Sequence, residues 1–233
     1  MHRTSSPVVP PRPWWDAVLA VLGLVLPVTC VGCGAADRAC CPACRADLAA
    51  RPVRRRLVGG VRLDAAFAYE GTVRALVLEL KLRGRVDLAP ALAPRFGALV
   101  RAALAEAPGA VLVRVPPSRA GARRRGFDPV VLLLRRSRAL PRPGTTLGRR
   151  AALRRTRTGR GAASGAHGQK GRTALERVEA TVGTLRAHGV AGRDVVVVDD
   201  VVTTGVTMAE AVRAVRAAGG RVVRCVALAE VAE

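Results

Sequence analysis

Apolar residues recur along this chain with two different periods. Val73, Leu76, Val77 and Leu80 follow the three-and-four spacing of a helix face, and Met208, Ala211, Val212 and Val215 repeat it. Between such stretches stand mostly apolar runs: VRLDAAFAYE at 61–70, AVLVRV at 110–115, VVVV at 195–198 and RVVRCVALAE at 221–230. The first kind of pattern predicts helices over 72–82 and 207–218, the latter stopped by Gly219 and Gly220. The second predicts strands buried on both faces. Weaker patterns predict helices over 14–26, 88–104, 128–138 and about 173–186, and a strand over 145–153. Apolar strands alternating with helices describe a parallel sheet covered on both sides, with ligands at the carboxyl ends of its strands.

The polar stretches divide the chain. Residues 1–13 are a Pro-rich leader expected to be disordered, and 14–56 hold a short helix, a cysteine cluster and the basic segment RPVRRR. Residues 57–233 carry the sheet pattern, interrupted at 156–170 by TRTGRGAASGAHGQK, which has little to bury and reads as a mobile loop. At 233 residues the chain suits one main domain with a small appendage.

Charge changes the picture. The net charge is +22, and residues 112–160 hold fifteen arginines against a single acid, Asp128. Such a field attracts polyanions, among them nucleic acid, anionic lipid and phosphorylated metabolites, although a solvated basic face gives the same count. At 3% aromatic residues the chain is poor in material for stacking single-stranded bases. The apolar run at 17–28 is too short to span a bilayer as a helix, so no membrane span is expected. Arg3 and Arg12 before it, and LPVTC ending at Cys30, leave a signal peptide or lipoprotein reading open. A cytoplasmic location is the primary expectation.

Cys30, Cys33, Cys41 and Cys44 form two CxxC pairs separated by seven residues. Each pair places two thiolates on one ion from a tight turn, and two turns close a tetrahedral structural zinc site. Disulfides or unpaired thiols are the alternatives, and Cys40, next to Cys41, is a competing ligand. Cys225, within an apolar strand, reads as a core residue.

The segment VVVVDDVVTTGVT at 195–207 places two acids at the end of the valine strand. Adjacent carboxylates repel unless a diol, a cation or other donors lie between them. After them, backbone amides, the hydroxyls of Thr203, Thr204 and Thr207, and a helix N-terminus make a nest for a phosphate, with Gly205 permitting close approach. Acids for a diol and amides for a phosphate, a few residues apart, describe a ribose 5-phosphate. The segment is neither a P-loop nor a dinucleotide fingerprint.

That segment resembles the PRPP-binding motif of type I phosphoribosyltransferases. The resemblance implies that Asp199 and Asp200 hold ribose hydroxyls, that the following residues Val201, Val202, Thr203, Thr204, Gly205 and Thr207 complete the PRPP site, and that Mg2+ accompanies PRPP. Together with CVGCG and CPACRADL, LKLRGR at 80–85 and VPPSRAGARRRGFDPV at 115–130, the chain resembles the competence-associated ComF family. The fold so implied is a type I phosphoribosyltransferase-like α/β parallel sheet flanked by helices, with a small N-terminal zinc-binding module of four cysteines. The family usually has RGFN where this chain has Arg125, Gly126, Phe127 and Asp128.

Transfer from PRPP releases pyrophosphate, which needs cations. The candidates are Arg114, Arg119, Arg123, Arg125 and Lys81, and the 156–170 loop resembles a lid in position. No catalytic base or nucleophile is assigned. Two functions are expected to compete. One is pentosyl transfer from PRPP to an unidentified acceptor. The other is a non-catalytic DNA-uptake factor binding single-stranded DNA or a partner helicase.

Overall fold

A computed structural model describes residues 28–117, 123, 125–140, 152–156 and 182–231 of the chain. The leader, the helix expected over 14–26, the 157–170 part of the lid-like loop and residues 173–181 lie outside these. The described chain runs α1 (Pro42–Ala50), β1 (Arg54–Val58), β2 (Val61–Ala68), α2 (Gly71–Leu82) and, after a 3-10 turn at Val86–Leu88, α3 (Ala89–Glu106). It continues through β3 (Val111–Arg114), α4 (Pro129–Arg136), β4 (Ala152–Arg155), β5 (Leu185–His188), β6 (Asp194–Val202), α5 (Val206–Ala217) and β7 (Arg221–Glu230).

The main sheet has five strands in the order β1-β2-β7-β6-β3. All pairings are parallel except the β1–β2 hairpin at the edge. The fold is thus mixed α/β with a mostly parallel central sheet, as its apolar strands predict. β6 shows why. Its alternate residues enter two cores: Val196 and Val198 join the one formed by α2, α3 and α4, while Val195 and Val197 join the one formed with α5. A strand buried on both faces admits no polar alternation, hence the four consecutive valines.

The amphipathic helices bury the faces their spacing predicts. Val73, Leu76, Val77 and Leu80 of α2 are fully buried, as are Met208, Ala211, Val212 and Val215 of α5 to within 1%. α3 carries Pro94 inside it, and its buried face includes Leu92, Phe96 and Val100. With the preceding turn, Val86–Glu106 has the length and apolarity of a membrane span, but half of that stretch is buried against the protein, which is the position of a core helix.

Three local assignments differ from expectation. RPVRRR is not merely a basic segment: Arg54, Arg55 and Arg56 begin β1, whose charged, exposed pattern suits an edge strand. Its return through Gly59 and Gly60, both with positive φ, is the tight hairpin that glycines permit. The strand expected over 145–153 occupies Ala152–Arg155 where it is described. The helix expected to reach Arg186 does not: Leu185–His188 is β5, paired antiparallel with β4. The reason is tertiary. Leu185 and Ala187 alternate inward onto α5, and buried Glu210 of α5 accepts the Leu185 N–H at 3.0 Å.

α3 and α4 approach closely at Gly97. A methyl there would stand 2.2 Å from Ser137 Cβ, just beyond the end of α4. Gly97→Ala is expected to cost about 1–3 kcal/mol by overpacking, read as a lowered urea midpoint. Adding Ser137→Gly is expected to recover most of the loss, whereas no recovery would place the strain elsewhere.

Candidate functional site

The cysteine cluster is built from two local structures. Thr29 and Ala36 bridge a short loop that holds Cys30 and Cys33, with the Gly34 N–H donating to the Cys30 carbonyl at 2.8 Å. Cys41 then caps α1, its sulfur accepting from the Cys44 N–H at 3.4 Å, and Pro42 occupies the first helical turn. These turns bring one sulfur from each of Cys30, Cys33, Cys41 and Cys44 within 4.8 Å of one another.

The geometry fits a tetrahedral metal. A zinc bonded at about 2.3 Å separates its thiolates by about 3.8 Å, and the Cys33 and Cys41 sulfurs stand 3.6 Å apart. Burial works against a thiolate at Cys30, yet the backbone groups of Cys41, Cys33 and Gly32 and the thiol of Cys44 overcome it and lower its pKa to about 6. Cys40 points elsewhere. It is 2% exposed and belongs to the hydrophobic core with Leu48, so it anchors the module while its neighbour Cys41 gathers with the other three sulfurs.

The second site lies at the carboxyl end of β6. Here the strand continues past the valines, through both acids, to Val202, which pairs with Glu230 of β7. Asp199 and Asp200 open into a cleft of about 170 Å³ together with Thr207, Lys81, Arg125, Asp128 and Arg155. Lys81, near the carboxyl end of α2, reaches Asp200 at 2.9 Å. Lys81 therefore bonds to an acid that the sequence assigns to the ribose.

Asp199 is held differently. Desolvation and the neighbouring Asp200 charge raise its pKa to about 8, with Asp128 adding to the rise. The Asp200 N–H, which donates to its Oδ1 at 2.8 Å, and the Lys81 charge offset only part of this. The protonated carboxyl of Asp199, beside the Lys81-paired Asp200, offers a donor as well as acceptors to the cleft.

Beyond Val202 the chain turns at Gly205, whose φ of +79° is left-handed, and enters the 12-residue α5. Thr203 and Thr204 are exposed there, while Thr207 faces the cleft. The other cations divide. Arg114, at the end of β3, lies 2.6 Å from Asp128, an ion pair without hydrogen-bond alignment. Asp128 also caps α4, accepting from Val131 N at 3.2 Å. Arg125 lines the cleft, and its buried Nε meets no acceptor among the described residues. Arg123 is exposed, and Arg119 lies outside the described residues.

Arg155 and Arg56 were absent from the sequence-derived set. Arg155 of β4 donates to the carbonyls of Pro116 and Pro117 at 3.2 and 3.3 Å, holding the stretch after β3. The signal for Arg155 was weak because many other arginines surround it in sequence. Nothing in the RPVRRR pattern distinguishes Arg56 from its neighbours.

With this geometry in place, the comparison with known families is specific in extent. Residues 154–233, about a third of the chain, match the phosphoribosyl transferase domain family. The match runs from β4 to the end of β7 and so contains β6, the paired acids and the loop into α5. It supports a phosphoribosyltransferase-type family for this chain. No match was found among curated proteins.

Two outcomes follow. Metal analysis of protein prepared under reducing conditions is expected to return about one zinc per chain, retained in Cys40→Ala and lost in Cys41→Ser. Equal loss in both would reassign the ligands. For Asp199, the folded carboxyl keeps its proton to a pH of about 8, against 3.8 for the ordinary group. The folded state therefore binds more protons than the unfolded one across that window, and stability falls as pH rises through it. The urea midpoint is expected to drop more between pH 6 and pH 8.5 in the parent protein than in Asp199→Asn, and equal slopes would contradict the assignment.

Proposed function

We propose that this protein binds PRPP or a related ribose 5-phosphate together with Mg2+, and that it transfers phosphoribose to an acceptor that the cleft does not identify. The observation that carries the reading is the opening of Asp199 and Asp200 into one cleft with Thr207, Arg125 and Arg155. That combination sits beside and inside the segment matching the phosphoribosyl transferase domain, which holds all of these residues but Arg125.

In this reading the carboxyl pair receives the ribose hydroxyls. The loop 203–205 and the α5 N-terminus receive the 5-phosphate, whose charge the helix dipole and backbone amides favour. Arg125, with its buried unpaired Nε, supplies a cation to the pyrophosphate. Arg114 and Lys81 enter that role by exchanging their carboxylate partners for phosphate oxygens. Mg2+, when bound, neutralises the leaving group, and it suits a site where substrate phosphates and water supply most of its ligands. The residues present fit that requirement, since the cleft gathers three carboxyls, Asp128, Asp199 and Asp200, beside its cations.

The order of cysteine module, LKLRGR, RGF segment and PRPP-like segment supports a ComF-like assignment, with structural zinc in the cysteine module. The DNA-uptake alternative draws on the same arginines, and no feature of the described residues favours it over a small phosphorylated ligand.

Calorimetry with Mg2+ tests the reading. PRPP is expected to bind to the parent protein, and affinity is expected to fall at least about tenfold in Asp199→Asn with Asp200→Asn, the scale of lost hydrogen bonds to charged groups. No PRPP binding, or binding indifferent to the double substitution, would sink it.

A further inference from the structure

The phosphate loop has a back side that its own sequence does not explain. The Thr203 carbonyl accepts a hydrogen bond from Arg56 Nη2 at 3.0 Å, a contact made by β1, at the far edge of the sheet from β3. Arg56 is itself fixed: its Nε lies 3.3 Å from Glu230 Oε1, and Glu230 is only 6% exposed. Glu230 ends β7 directly beside Val202, the last residue of β6 before the loop. A Cβ added to Gly205 would stand 3.3 and 3.4 Å from the two terminal nitrogens of the same guanidinium. The Arg56 guanidinium thus lies against the left-handed turn that starts α5.

The geometry of a peptide gives this contact a consequence. Carbonyl and N–H of one trans peptide point in opposite directions. Arg56 draws the Thr203 carbonyl toward β1, so the Thr204 N–H of the same peptide is aimed away from β1. On that side stand β3 and the cleft with Asp199 and Asp200. A nest of amides presents its N–H groups to an anion while its carbonyls point the other way, and here one guanidinium hydrogen-bonds the carbonyl and forms an ion pair with the buried carboxylate behind it.

We propose that Arg56 is a positioning residue of the phosphate loop, held by Glu230 and holding Thr203, and that it orients the loop amides toward a ribose 5-phosphate. This rests on the ribose-phosphate reading of the cleft. Arginine suits the place better than lysine because an ammonium lacks the planar fork that engages both partners.

The test uses the full chain with Mg2+ and ribose 5-phosphate, read by calorimetry and by amide hydrogen exchange. Arg56→Met is expected to weaken ribose 5-phosphate about ten- to a hundredfold and to speed exchange at 203–206 while β6 and β7 stay protected. Arg56→Lys is expected to recover part of the affinity, and Glu230→Gln, which loosens the anchor, to fall between the parent and Arg56→Met. Should Arg56→Met not fold, the other two variants carry the same comparison. Parental affinity in Arg56→Met, or in both remaining variants, overturns the proposal alone. So does faster exchange throughout the sheet, which marks lost packing rather than lost orientation. A parent protein that binds no ribose 5-phosphate overturns the functional reading and this one together.

Discussion

Burial of β6 on both faces is the constraint on which this structure depends. A central parallel strand with α2 and α3 over one side and α5 over the other has no solvent side on which to place a polar residue. Polarity is therefore pushed to its carboxyl end, where the covering helices stop and the sheet edge opens. Two adjacent carboxyls arrive there and open into one cleft, yet different groups satisfy each of them. Asp200 meets Lys81, while Asp199 retains its proton to a pH of about 8 through desolvation and its neighbour's charge. A polar cleft is a direct outcome of following four buried valines with two acids near the end of this strand.

The same logic explains why so basic a chain is not a sea of unpaired cations in the described residues. Arg95 of α3 reaches back to the carbonyls of Ala49, Arg51 and Ala66, and lies over the Phe67 ring at 5.3 Å. It thereby closes the carboxyl end of α1 onto the sheet. Arg224 joins buried Asp64 at 2.9 Å, and Arg155 fastens the two prolines after β3. Arginine is used here as internal mortar: its several donors satisfy carbonyls at element ends that water would otherwise have to reach. Counting arginines in 112–160 therefore overstates the free positive surface, since Arg114 and Arg155 already have partners within the protein.

What was legible in the chain follows from whether a signal is local. The valine run, the helical faces of α2 and α5 and the two CxxC pairs each express one periodicity or one turn, and each was readable. The misreadings have tertiary causes. β1 carries three arginines because it is an edge, so it lacks an apolar pattern. Leu185 and Ala187 form a strand because α5 offers Glu210 and an apolar face, which no neighbouring residue announces. Cys40 and Cys41 are adjacent and chemically identical, and only the start of α1 turns one to the core and the other to its fellow thiols. Arg56 and Thr203 are 147 positions apart, and their contact exists only once β1 and β7 share a sheet.

The thiol module and the cleft are also less separate than the chain order makes them. A Cβ added at Gly32, between Cys30 and Cys33, would stand 2.8 Å from the Cys44 sulfur and 2.9 Å from Thr72 Cγ2, so the first cysteine turn rests on the opening turn of α2. Further along the same helix, near its carboxyl end, Lys81 meets Asp200. The fully buried Val73, Leu76, Val77 and Leu80 hold α2 to the sheet between these contacts, leaving it little freedom to slide. Where the cysteine turns seat the start of α2 therefore helps determine where its lysine arrives. A metal held by four thiolates would have no open position for a substrate, yet in this arrangement the cysteine turns bear on one end of a rigid helix whose other end brings a charge to the acids of β6.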